Sequence, residues 1–322
     1  MEMRTLGRTG VKVSVLGFGC GAVGGMMVKG SPADQERAVA RALEAGVTFF
    51  DTAPMYGNGA SETNLGRVLA SLKPEIFLAT KVTVLPEDKG DIVGAVARSL
   101  EASLKRLGRE SVDLLQLHNR IDAAGTDRPL TAETVTQEVA PAMEKLKRQG
   151  KIRFAGITAL GETALLHRVV ESKAFDTAQI CFNLLNPSAA GPVPAGLPAQ
   201  DFKGLATRAK EAGMGRINIR VFAGGALSGS EERHPTGVPS VPPIASGPTY
   251  AVDVKNAHRF DPLIKASHAE SLIELALRFA ISSDAMTTVL AGTSTLDQLE
   301  TAIRSVEKGR LSADALAMIA RA

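Results

Sequence analysis

Residues 46–69 read GVTFFDTAPMYGNGASETNLGRVL. A short apolar run at 47–50 ends on an acid, Asp51, and Tyr56 follows in a Gly-rich loop. Beyond it, Leu65, Val68, Leu69 and Leu72 recur at helical spacing within 62–72. A brief apolar run closed by turn residues reads as a buried strand, and that recurrence reads as an amphipathic helix. The unit is strand, loop, helix, with a carboxylate at the strand's end and a phenol in the loop.

The same unit repeats along the chain. Apolar runs at 15–18, 76–79, 113–117, 152–157, 177–181, 216–222 and 288–290 lead to helical stretches at 34–45, 91–107, 131–149, 162–172, 201–212, 268–281 and 296–308. An opening pair, 3–6 and 11–14 around Gly7-Arg8-Thr9-Gly10, reads as a hairpin, and a last helix at 312–320 closes the chain. Strands alternating with helices imply a parallel sheet with helices on its faces. Eight such units without a break in composition predict one α/β domain over residues 1–322: a (β/α)8 TIM barrel with an N-terminal β-hairpin. The competing architecture is an open doubly wound sheet. Its one motif, GCGAVG at 19–24, has the spacing of a dinucleotide fingerprint, but Gly25 and Met26–Met27 follow at once. A helix therefore does not open at the third glycine, as phosphate binding there requires.

Composition removes several function classes. The 322 residues carry a formal charge of only +3, with the signs interspersed, so there is no footprint for nucleic acid. No apolar run is long enough to span a bilayer. The stretch MEMRTLGRTGVKV lacks the apolar segment of a signal peptide, and Cys20 and Cys181 form no disulfide framework, so a cytoplasmic location is expected. His234, His258 and His268 lack metal-ligand spacing and read as surface residues; no metal site is expected. Nothing in the sequence sets an oligomeric state.

In a barrel of this kind the reacting groups stand at the C-terminal ends of the strands. Asp51 follows the second strand, Lys81 lies two residues past the third, His118 follows the fourth, and Tyr56 lies in the second loop. Alone, each has a bland reading: a turn cap, a solvated rim charge, a structural histidine, an ordinary loop tyrosine. Together, on one rim, they suit proton transfer to a carbonyl oxygen. Lys81 is expected to lower the Tyr56 pKa, Asp51 to fix Lys81, and His118 to donate a second hydrogen bond to the substrate oxygen. Tyr56 is the general acid, and in reverse the base.

These residues carry a resemblance. The stretches 46–69, FLATKV (77–82) and SLEASLKRLGRESVDLLQLH (99–118) are similar to the aldo/keto reductases, and the likeness runs from the hairpin to the last barrel helix. It implies a (β/α)8 barrel, an NAD(P)-dependent oxidoreductase acting on an aldehyde, ketone or aldose, and a catalytic tetrad on Asp51, Tyr56, Lys81 and His118. Three other readings stay open: an NAD(P)-binding barrel with a regulatory or binding role, an NAD-dependent sugar dehydrogenase working mainly in oxidation, and a barrel lyase or isomerase using Lys81 as a Schiff base.

On the cofactor side the resemblance is partial. Gly21 lies where the first loop passes beneath the reacting end of the cofactor, with Asp51 beside it. Thr158 keeps the family's hydroxyl, but Ala159 replaces the usual amide; Gln179 and Asn183 match, and Gln179 is the implied carboxamide partner. Ile219 stands where relatives place an aromatic. Arg220, ahead of Phe222 and Gly224, reads equally as a pyrophosphate ligand or a rim salt bridge. Gly292, Thr293 and Ser294 open the last barrel helix and offer N–H groups to an anion. Gln298 replaces the arginine that grips a 2′-phosphate. NADP(H) is the implied cofactor, with NAD(H) as the alternative, because that arginine and the lysine of the Lys-Ser pair that such relatives carry at the end of the eighth strand are both missing. The pocket walls fall on loops 119–128, 186–199 and 223–262; Asn119 and Arg120 either contact substrate or cap their loop. With few aromatics, a small carbonyl or sugar substrate is expected rather than a flat one.

Overall fold

The computed structural model describes residues 1–123, 130–191, 193 and 199–322. Strands β1 (Met3–Thr5) and β2 (Lys12–Ser14) pair antiparallel as the predicted hairpin. The strands β3 (Leu16–Gly19), β4 (Phe49–Asp51), β5 (Phe77–Val82), β6 (Val112–Leu117), β7 (Ile152–Thr158), β8 (Thr177–Cys181), β9 (Gly215–Ile219) and β10 (Thr288–Gly292) follow. They close a parallel barrel in chain order, with β10 pairing β3. This is the (β/α)8 fold expected from the repeat.

Period-two alternation places Phe49, Phe77, Leu114, Ile217 and Leu290 inside the barrel. There they cluster with Leu6 and Val13 of the hairpin, which seals the N-terminal end. Phe49 stacks on Phe77, and Phe77 on Phe154, at centroid distances of 5.3 and 6.1 Å. The same alternation carries the interior upward from Phe49 to Asp51, from Phe77 to Lys81 and from Leu114 to Gln116. The outward side chains, Leu16, Phe18 and Phe50 among them, pack in a second apolar shell against the helices. Local signals set the helix bounds: Ser31 caps Pro32–Glu44, accepting from Asp34 N, and Gly108 at φ 62° ends Ile92–Leu107.

Four of the differences from the sequence reading bear on the site or its walls. β5 runs through Val82, so Lys81 lies inside a strand rather than past its end. β9 stops at Ile219 instead of 222, because Arg220 takes φ 59°, a left-handed conformation that cannot continue a strand. The helix expected at 131–149 is a π-turn, Val135–Val139, between Ala132–Thr134 and Ala140–Arg148. Pro141 sits just past that turn and has no N–H for the regular ladder. Segment 223–262, expected as a loop, holds the helix Tyr250–Ala257 and part of Asp261–Lys265. Of the other two expected pocket walls, residues 124–128, 192 and 194–198 lie outside the described residues. No helix among the described residues is long and apolar enough to cross a membrane.

Candidate active site

All four residues singled out from sequence meet at the C-terminal rim. β4, β5 and β6 are consecutive in the barrel, which brings Asp51, Lys81 and His118 side by side. The loop after β4 turns back so that Tyr56 faces them.

Lys81 is fully buried. Its ammonium donates to Asp51 Oδ1, to Thr52 O at 2.9 Å and to Tyr56 Oη at 3.1 Å. An ammonium has three donors, so all are engaged. That arrangement leaves no room for Lys81 to act as a Schiff-base nucleophile without dismantling a buried ion pair. Tyr56 accepts from Lys81, so its own O–H points elsewhere, toward the cleft that Tyr56 lines. His118 packs edge-on to the Tyr56 ring, centroids 5.8 Å apart, and lines the same cleft.

Burial and charge set the protonation states. Burial pulls the Lys81 ammonium down, but Asp51 and Tyr56 hold it above the ordinary lysine value. Burial raises the Tyr56 phenol above its ordinary value, outweighing the Lys81 charge. This reverses the expected sign: desolvating a phenolate costs more here than one ammonium returns. Burial, with Lys81 second, pulls the His118 imidazole down to about 3. Burial also raises the Asp51 carboxyl above its ordinary value, opposed by the Lys81 charge and by the Gln116 and Gln179 amides. The direct Lys81–Asp51 contact makes the pair ionic, beside a protonated phenol and a neutral imidazole.

Asp51 is held by more than Lys81. Its Oδ2 accepts from Gln116 Nε2 at 3.0 Å and from Gln179 Nε2 at 2.7 Å. Gln179 Oε1 accepts from Thr158 Oγ1 at 3.2 Å, linking β7 to β8. The sequence reading missed Gln116. The signal was present, since residues 114, 116 and 118 share one face of the fourth strand by alternation.

A cleft of about 430 Å³ opens above these groups. It runs from Tyr56 and His118, past Thr158, Gln179, Ile219, Phe222 and Gly224, to Thr293, Ser294 and Gln298. A family model described as the aldo/keto reductase family matches residues 15–322. The chain belongs to the aldo/keto reductase family. It is similar to an L-galactose dehydrogenase of Arabidopsis thaliana, 30% identical over 312 residues that cover 95% of this chain and 88% of the relative. It is also similar to an L-glyceraldehyde 3-phosphate reductase of Escherichia coli (strain K12), 26% identical over 343 residues covering 99% of this chain and 91% of the relative. Among solved structures, the aldo-keto reductase AKR11C1 from Bacillus halodurans (holo form) superposes with a TM-score of 0.73 at 25% identity, covering 100% of this chain and 96% of that one.

As an aldo/keto reductase the chain is an NAD(P)-dependent oxidoreductase, and its cleft fits such a dinucleotide. The volume lies within the range of small-molecule sites, and polar groups stand at both ends. Gln179 keeps one amide hydrogen uncommitted next to the Thr158 hydroxyl. The loop at 19–24, the false fingerprint, forms one wall. Gly21 lies against the Tyr56 ring, and a side chain at Gly24 would come within 2.5 Å of Thr293 N. At the far end, Ser294 N donates to Gln298 Oε1 at 2.7 Å, and Ser294 Oγ donates to Gly24 O at 2.5 Å. The neutral Gln298 thus caps one of the N–H groups expected to be open to an anion.

Other expectations resolve locally. Asn119 caps a loop: Oδ1 accepts from Val84 N and Nδ2 donates to Val84 O, both at 2.8 Å. Arg120 pairs with Asp122 rather than facing the cleft. Asn183 clamps the turn after β9, its Nδ2 donating to Arg220 O at 2.9 Å. His234, although exposed, borders the cleft, as do Arg233 and Tyr250 from the long segment. Composition gave no signal for these three, because they lie far along the chain from any strand end.

Proposed function

We propose that this aldo/keto reductase interconverts a small aldehyde, ketone or aldose and its alcohol, with Tyr56 as general acid in reduction and general base in oxidation. The observation that carries the reading is the Lys81–Tyr56 contact. Lys81 donates to Tyr56 Oη, so the phenol's single proton is directed at the cleft and the phenolate left behind is stabilised where it forms. A bound nicotinamide would supply or accept the hydride.

The chain's own groups do the rest. Tyr56 delivers its proton to the substrate oxygen as negative charge gathers there. Neutral His118 donates one N–H to the same oxygen and adds no competing charge. Asp51 keeps Lys81 charged in a dry site, and Gln116 and Gln179 keep Asp51 oriented. Gly21, Asp51, Thr158, Gln179, Phe222, Gly224, Gly292, Thr293, Ser294 and Gln298 are the groups that hold the cofactor. With neutral side chains at Thr293, Ser294 and Gln298, NADP(H) is bound without a charge-assisted grip on its 2′-phosphate, and NAD(H) is accepted as well. The likeness to an L-galactose dehydrogenase supports an aldose among the substrates, and the scarcity of aromatic walls supports a small, polar one.

The test is direct. NADH and NADPH are titrated separately by fluorescence, and aldoses and small aldehydes are then screened in both directions. Carbonyl-dependent oxidation of NAD(P)H, with the two dissociation constants within about tenfold, is expected. Tight cofactor binding with no turnover of any carbonyl would favour a binding role instead.

A further inference from the structure

We infer that Arg220 binds a carboxylate or phosphate carried by the carbonyl substrate, which makes small acidic carbonyl compounds the substrate class of this cleft. The inference rests on the function proposed above.

Among the described residues two arginines line the cleft, and they differ in what they already hold. Arg233 is committed to the backbone: it donates to Val238 O and Gly224 O, both at 2.8 Å, and to Val23 O at 3.2 Å. Arg220 has a single side-chain hydrogen bond, Nη1 to Pro242 O at 3.3 Å, and forms no ion pair among the described residues. A guanidinium offers five N–H donors, so four remain for a ligand. The rim salt bridge considered from sequence is not formed.

Position decides which ligand. Arg220 ends β9 and interacts electrostatically with the Tyr56 phenol and with Cys181 at the end of β8. Tyr56 lines the cleft together with Arg220. The N–H groups of Gly292–Ser294, suited to the cofactor's phosphates, lie against the first barrel loop at Gly24, whereas the Arg220 guanidinium lies beside Gly224 and Pro242. The backbone also serves this placement. Arg220 takes φ 59°, uncommon for a residue with a side chain, and is held there by Asn183 Nδ2 at 2.9 Å and Ala223 N at 2.8 Å on its carbonyl. An exposed rim charge needs no such constraint. A planar fork presented beside a proton donor matches a carboxylate or phosphate on the molecule that receives the proton.

The test uses matched four-carbon pairs: succinic semialdehyde against butyraldehyde, and erythrose 4-phosphate against erythrose. For the wild type, kcat/KM is expected to favour the anionic member of at least one pair by tenfold or more, with the gain in KM. In Arg220→Gln that ratio collapses toward one, while the Kd of NADPH, read by fluorescence, moves less than threefold. Three results would overturn the inference: no anion preference in the wild type, a preference that survives in Arg220→Gln, or a parallel loss for both members together with weakened NADPH binding. The last would assign Arg220 to the cofactor's pyrophosphate. If the wild type turns over none of the four carbonyls, the proposed reaction fails for this substrate range. The anion site is then judged by binding alone: succinate must raise the Tm of the NADPH-loaded wild type and not that of Arg220→Gln, and equal shifts or none would overturn it.

Discussion

The Lys81 ammonium donates to the Tyr56 hydroxyl at 3.1 Å, and its two remaining protons go to Asp51 and to Thr52 O. The phenol is thereby an acceptor on its buried side and a donor only on its cleft side. Replacing Tyr56 by Phe removes the transferable proton and leaves the ring's packing against His118. Carbonyl turnover is expected to fall about 10²–10⁴-fold while cofactor still binds. Single-turnover kinetics with a fluorescence titration would check it; a loss below tenfold would remove Tyr56 from the chemistry.

In the proposed mechanism Gln116 reaches the reacting groups only through Asp51, as a positioning residue. Gln116→Met removes one of the two amides on Asp51 Oδ2 and also deletes a buried Oε1 that has no hydrogen-bond partner. Stability should therefore change little, since the lost bond and the relieved orphan oxygen oppose each other. We expect kcat to fall about tenfold with KM nearly constant, and Gln116→Glu to be worse, because it sets a second carboxylate against Asp51. Equal losses in kcat and Tm would point to a merely structural role.

The pH profile of carbonyl reduction should lack a histidine limb. His118 is neutral down to about 3, and Tyr56 keeps its proton beyond the ordinary tyrosine value of about 10. The kcat/KM is expected to stay level from about pH 5 to 8 and to fall only on the alkaline side, as Tyr56 deprotonates. An inflection between pH 6 and 7 that disappears in His118→Asn would contradict the neutral imidazole.

The same histidine links folding to acid. Its folded pKa lies below the unfolded value of about 6.5, so the unfolded chain binds the extra proton in between. By linkage the His118 contribution to stability is intact above about pH 6.5 and is lost as pH falls toward about 3. The Tm of the wild type should thus drop more steeply over that window than that of His118→Asn. Parallel curves would show that the histidine is solvated.

Glu62 ties the helix that follows Tyr56 to the strand that carries Lys81. It is fully buried, accepting from Thr80 Oγ1 at 2.5 Å and from Arg106 Nε at 2.6 Å. Arg106→Ala strands that carboxylate. Losing a partner of a buried pair costs about 3–5 kcal/mol, and Arg106 is 30% exposed, so a loss of about 2–3 kcal/mol is expected in urea unfolding. A change under about 1 kcal/mol would mean that water already screens the pair.

The barrel and its rim were legible because they rest on local, repeated signals. Apolar runs mark strands, and the residue ending each run marks the rim, so Asp51, Tyr56 and His118 needed no tertiary information. Lys81 was placed correctly in space but wrongly in its element: a charged residue in a strand reads as a boundary, and only the finished barrel supplies Asp51 to neutralise it. The sign of the Tyr56 shift was out of reach, since it weighs desolvation against charge and sequence shows only the charge. Gln116 was visible by alternation, but an amide among apolar neighbours looks like filler until its partner is known. The helix Tyr250–Ala257 escaped because its surroundings are rich in Gly and Pro and its own apolar face is weak.

The first barrel loop is fastened to the last strand's end. Ser294 Oγ bonds Gly24 O, Met26 N bonds Thr293 O at 3.2 Å, and β3 and β10 share four residue pairs. During synthesis, the strands bearing Asp51, Lys81 and His118 emerge long before residues 288–294. A nascent or truncated chain can therefore carry Asp51, Tyr56, Lys81 and His118 and still lack one wall of the cleft. Cofactor binding is thus expected only once the last barrel strand has closed against the first.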